Sequence, residues 1–196
     1  MGSPLWLAPC LLLASCASAA LPAEEGDLPA PSEAGPFSRS GVYVEASRLL
    51  GREMLDEELG GADLGTLATR GWGARVGYRA KPGFAVEAAF RRVSFDDEDV
   101  HGGWWDLASE GKFFLAEERL QPYLLLGMGG IVPLQGNRDP GLLLRVALGA
   151  DLYATPSFGL FAEAGVDVQR FWNPDLTRNT EKDHHLSIEA GVTVRF

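Results

Sequence analysis

The chain has 196 residues, with 27 acidic against 17 basic side chains and a formal net charge of −10. That length supports one domain with a full core. The acidic balance, with no run of Lys or Arg, excludes nucleic acid as a partner.

Residues 1–20, "MGSPLWLAPCLLLASCASAA", carry no charged side chain. The apolar run over 5–14 is too short to cross a bilayer as a helix. Followed by small residues, it reads as a secretory signal peptide over residues 1–19. Two processing sites compete. Ala17, Ser18 and Ala19 before Ala20 form an A-x-A site, whereas Leu13 to Cys16 resembles a bacterial lipobox, in which the cysteine is lipidated. Cys10 and Cys16 both lie in this segment, so the exported part has no disulfide framework and no cysteine metal site. No cofactor or metal site is expected elsewhere. Residues 20–40 are rich in Pro, Glu, Ser and Ala without periodicity, the composition of a disordered linker.

From Gly41 onward the hydrophobic signal has period 2, the mark of strands with one buried and one exposed face. It recurs over 41–50, 71–80, 84–93, 104–115, 122–130, 143–154, 158–169 and 186–196. In the last of these, Leu186, Ile188, Ala190, Val192, Val194 and Phe196 alternate with Ser187, Glu189, Gly191, Thr193 and Arg195. Eight such segments, each near the length a tilted strand needs to cross a bilayer, predict an all-β, eight-stranded antiparallel up-and-down transmembrane β-barrel over residues 41–196. The connections 51–70, 94–103, 131–142 and 170–184 are long and polar, whereas 81–83, 116–119 and 155–157 are short. Their alternation puts the long loops at one end of the barrel and both chain termini at the other. The 24 glycines recur inside apolar stretches, which suits a tightly curved sheet.

Alternation alone is shared with a soluble or lipid-anchored lipocalin-like barrel, whose apolar face turns inward around a ligand. The membrane arrangement is favoured because Gly and opposite charges concentrate on one face. The other face carries large aromatics near the segment ends: Trp72, Tyr78, Phe84, Phe90, Trp105, Phe113, Phe158 and Phe196.

These eight segments, with "QPYLLLGMG" over 121–129 and the terminal "GVTVRF" over 191–196, resemble the small OmpA/OmpX-type outer-membrane β-barrels of Gram-negative bacteria. The resemblance implies a bare, monomeric outer-membrane barrel with a periplasmic linker and a structural or binding role, not an enzyme. Its partners would be outer-membrane lipid, lipopolysaccharide and the outer-membrane assembly machinery. In that family the aromatic-terminated last strand is the assembly signal, which Phe196, Val194 and Val192 match.

The inward face would hold Glu45, Arg75, Arg79, Glu87, Arg91, Asp106, Glu110, Lys112, Arg145, Asp151, Glu163, Asp167, Glu189 and Arg195. Eight strands leave a lumen that side chains just fill, and buried charges must be paired. A structural ion-pair network that plugs the lumen is expected, with the two signs nearly balanced.

Three further stretches invite a functional reading. "DDED" over 96–99 with His101 is a carboxylate run, but it lacks the ligand spacing of a calcium loop. His185, Ser187 and Glu189 share a face, and an H-x-S pair also occurs in lipid A deacylase barrels. Side chains two apart on a strand point the same way, which does not give the aimed hydrogen bond that catalysis needs. Finally, "REMLDEELGG" over 52–61, with Leu55 and Leu59 four apart, fits a short rim helix.

Overall fold

The computed structural model describes residues 36–37, 39–55, 66–81, 83–96, 102–134, 139–172 and 181–196. The expected signal peptide, most of the linker, residues 97–101 and Leu59 therefore lie outside the described residues.

Eight strands follow in chain order: β1 (Gly41–Leu55), β2 (Thr66–Lys81), β3 (Phe84–Phe95), β4 (Gly103–Phe114), β5 (Leu120–Pro133), β6 (Asp139–Thr155), β7 (Phe158–Trp172) and β8 (Glu181–Arg195). Each pairs antiparallel with its sequence neighbours, and β1 pairs with β8, so the sheet closes into a barrel. Closure leaves no edge strand with unpaired backbone groups. Phe196 completes the seam by donating its N–H to the Val42 carbonyl at 2.9 Å.

The two-residue periodicity becomes the two faces of the wall. Leu50, Leu107, Leu144, Leu148, Ile188 and their kind point outward and are exposed, whereas the charged set points inward and is buried. This is opposite to the lipocalin partition, so the soluble alternative fails on the direction of the faces. An apolar outer wall needs an apolar surrounding.

The strands at the long-loop end run further than the hydrophobic alternation. Residues 51–55 continue β1 as extended chain, with Glu53 buried and Arg52 and Met54 exposed. The rim helix expected over 52–61 is thus not formed in its first part. A closed barrel supplies cross-strand hydrogen bonds to both β1 neighbours there, Arg52 pairing with Ala68 and Leu186, and this outweighs a weak local helical spacing. The loops shorten accordingly. The connection 134–138 is no longer than 115–119 at the opposite end, whereas 56–65, 96–102 and 173–180 remain the longer ones.

Two glycines explain how large rings fit inside so narrow a barrel. The Tyr43 ring lies directly on Gly77, its register partner on β2. Tyr123 does the same on β6, where a Cβ added at Gly149 would stand 2.5 Å from the tyrosine Cζ. Only a residue without Cβ permits this close approach.

Candidate functional site

Among the described residues, the buried charged side chains converge in the lumen. All fourteen inward residues expected from the sequence are buried there. At its centre, Arg75 from β2 meets carboxylates from four other strands. Its Nη1 lies 3.2 Å from Glu45, its Nε 3.3 Å from Glu110, and its Nη2 2.6 Å from Glu163 and 2.7 Å from Glu189. Arg145 from β6 shares three of these carboxylates, with Glu110 the most distant at 4.0 Å. It reaches Glu163 at 2.7 Å and Glu189 at 3.2 Å, and holds Asp167 at 2.9 Å. Arg91 adds Asp106 at 2.9 Å and Glu110 at 3.1 Å. The guanidinium fork suits this bridging, because one planar group can serve several carboxylate oxygens at fixed angles.

Toward the short-turn end the network becomes aromatic. Lys112 Nζ contacts Glu45 at 2.8 Å and Glu87 at 3.0 Å, with Asp151 at 3.8 Å. Four rings surround the same ammonium, with Tyr123 nearest at 4.4 Å and Tyr43, Phe161 and Phe114 within 5.9 Å. A desolvated cation gains from such ring faces. Tyr43 donates its hydroxyl to Glu87, and Tyr123 donates to Glu163 at 2.9 Å.

The last donors of the set, Arg79 and Arg195, sit in the short-turn mouth and turn toward the chain that precedes β1. The Phe37 carbonyl accepts from Arg195 at 2.6 Å, Gln121 at 2.9 Å and Arg79 at 3.4 Å. The Phe37 ring stands 6.4 Å from Tyr153. The end of the expected linker is therefore seated in the barrel mouth.

Toward the long-loop end, Leu49, Val93, Trp104, Ile131 and Phe171 form an apolar layer inside the lumen. Beyond it β1 and β8 bring Glu53 and Asp183, both buried. The sequence pattern missed these two because the periodic segments stop at Leu50 and begin at Leu186. With them, ten buried carboxylates face six buried cations among the described residues, so the expected near-balance of signs does not hold.

His185, Ser187 and Glu189 do point inward together, but they form no relay. Ser187 Oγ has no hydrogen-bond partner among the described residues, and Glu189 accepts from Ser47 and Arg75. His185 instead lies between Thr69 Oγ1, 2.8 Å from its Nε2, and Asp167, 3.2 Å from its Nδ1. Hydroxyl, imidazole and carboxylate thus occur in the order used by hydrolytic triads. All three are enclosed, each no more than 3% exposed, and Trp104 packs edge-on against the imidazole at 5.2 Å. Asp96 of the acidic run directly follows β3 and pairs with Arg70 at 3.1 Å.

Three solved structures share the barrel fold. Neisserial surface protein A superposes with a TM-score of 0.63 at 18% identity, over 80% of this chain and 98% of its own. The fold is that of the small outer-membrane barrels. The outer membrane protein OprG from Pseudomonas aeruginosa matches at 0.52 with 13% identity, over 82% of this chain and 98% of its own. The outer membrane enzyme PagL matches at 0.53 with 10% identity, over 78% and 99%. No family model matches the sequence, and neither does any curated protein. The shared barrel carries both an enzyme and proteins of other kinds, so function must be argued from the side chains.

Proposed function

We propose that the chain is a monomeric integral outer-membrane barrel of structural or binding role, non-enzymatic, with a closed lumen. The observation that carries this reading is the partition of the wall. Large apolar side chains are exposed outward all round the barrel, and buried ion pairs fill its inside. Two aromatic clusters flank the apolar wall on β2, β3 and β4. Trp72, Phe90 and Trp105 cluster at one level, and Tyr78, Phe84 and Phe113 lie six to eight residues along the same strands. At ~3.3 Å per residue that is roughly 20–26 Å of strand, comparable to the ~25 Å apolar band of outer-membrane barrels.

In this reading the longer loops face outward, and the short turns, with the seated Phe37, face the periplasm. Outer-membrane lipid and lipopolysaccharide surround the wall. The exposed Val192 and Phe196, with Val194 between them on the outward face, present the last strand to the assembly machinery. The lumen does not serve as a diffusion pore, because an ion-pair layer and an apolar layer cross it in series. A lipid-modifying activity is disfavoured by the enclosure of Thr69, His185 and Asp167 behind the wall. Carbonate extraction of membranes, followed by electrophoresis with and without boiling, tests the reading. A protein retained in the pellet, with heat-modifiable mobility, is expected. Release into the supernatant would sink it.

A further inference from the structure

The outer wall carries a charge pattern unrelated to the lumen. Exposed arginines stand at outward positions of the strands, Arg48 and Arg52 on β1, Arg70 on β2, Arg92 on β3 and Arg170 on β7. On β1, β2 and β3 no described outward position carries a carboxylate. In a chain with ten more acidic than basic residues, this is a sorted arrangement.

Three of the five converge. Arg48 and Arg92 are the register partners of Trp72, one from each neighbouring strand, and Arg70 lies two residues along β2. With Gly71, Trp72 and Ser94 they line a pocket of about 190 Å³ on the outside of the wall. Arg92 lies over the Trp105 ring at 5.0 Å, within the aromatic cluster of Trp72, Phe90 and Trp105. The pocket therefore adjoins the aromatic cluster nearer the long-loop end, and aromatic side chains of this kind sit where lipid headgroups begin. Among the described residues one carboxylate is near, Asp96 on Arg70, and that pair is solvent-exposed and weak. Three guanidiniums sharing a pocket beside an apolar wall repel one another unless an anion joins them, and the fork geometry of arginine matches phosphate oxygens.

Resting on the membrane-barrel reading, we propose that this pocket binds the phosphomonoester headgroup of a lipid in the leaflet on the long-loop side. The phosphate sits between Arg48, Arg70 and Arg92. The acyl chains descend along Ala46, Ala74 and Phe90, which are exposed on the short-turn side of the arginines.

The test uses the full chain refolded in an uncharged maltoside detergent, with folding confirmed by heat-modifiable mobility. Phosphatidic acid, phosphatidylcholine and inorganic phosphate are each titrated while tryptophan fluorescence is followed, since Trp72 and Trp105 flank the pocket. Phosphatidic acid should bind about tenfold or more tightly than phosphatidylcholine, and Arg48→Gln with Arg92→Gln should remove that preference. The paired lysine substitutions should retain part of it, and Arg170→Gln should leave it intact. Equal binding of both lipids, or an unchanged preference in the glutamine variant, overturns the site. Inorganic phosphate binding as tightly as phosphatidic acid would assign the site to a free anion and overturn the lipid source. A folded, heat-modifiable barrel that ignores phosphatidic acid removes this inference alone. A chain that never enters micelles removes the membrane reading as well.

Discussion

Arg75 on β2 grips Glu163 on β7 across the lumen, with Nη2 to Oε1 at 2.6 Å and Nη1 to Oε2 at 3.0 Å. These strands are not neighbours in the sheet, so the pair is a strut across the barrel instead of a rung along the wall. Glu45, Glu110 and Glu189 lean on the same guanidinium. Arg75 thus joins four carboxylates, three of which Arg91 or Arg145 also holds.

Replacing that cation should be costly in a particular way. Arg75→Met leaves four buried carboxylates short of their shared partner, and breaking a buried pair costs roughly 3–5 kcal/mol. Arg75→Lys keeps the charge but loses the fork, so it should recover only part of the loss. Urea titration of the protein refolded in micelles, followed by tryptophan fluorescence, measures both. Equal stability of the methionine variant and the parent would mean that the strut contributes nothing.

The wall makes an independent prediction. Val192 is exposed on β8, four residues before Phe196 and paired with Ala46 and Leu160. Val192→Arg places a charge in the apolar band, at roughly 2–4 kcal/mol if near the midplane. Loss of heat-modifiable protein from the outer-membrane fraction is expected. Normal levels there would reverse the inside and outside of the barrel.

Ring-on-glycine packing can be probed by a double-mutant cycle. Gly77→Ala drives a methyl group into the Tyr43 ring, and overpacking of this kind costs about 1–3 kcal/mol. In a Tyr43→Val background the same change should cost much less, because contacting residues are not additive. Unfolding midpoints of the four proteins give the coupling. Additivity would show that the ring moves aside freely.

The barrel and its charged lumen were legible because both rest on period-2 alternation, which a closed sheet enforces on every strand. Residues such as Arg75, Lys112 and Glu163 could be placed on the inward face from parity alone. Which charges meet could not be read, since β2, β4 and β7 touch only through the lumen, and shear between strands decides which rows face each other. Glu53 and Asp183 escaped because outward Arg52 and His184 interrupt the apolar alternation while the strands continue. The Arg48, Arg70 and Arg92 pocket escaped for a different reason. Its members are 22 residues apart in sequence, and only the register of three strands brings them around Trp72.

The enclosed Thr69, His185 and Asp167 chain separates a structural from a catalytic role. Thr69 Oγ1 and Asp167 occupy both ring nitrogens of His185, and a buried polar atom left without its partner costs about 1–3 kcal/mol. Thr69→Val removes the hydroxyl at nearly constant volume, so it should lower the urea midpoint accordingly. If the group served hydrolysis, the same variant would also change the acyl content of the lipids in cells that produce it. Lipid extracts of producing cells, compared by mass spectrometry with and without the substitution, should be identical. A shift in acyl content that appears with Thr69 and disappears with Val would instead make the hydroxyl a nucleophile, and would require the wall around Trp104 to open and admit substrate.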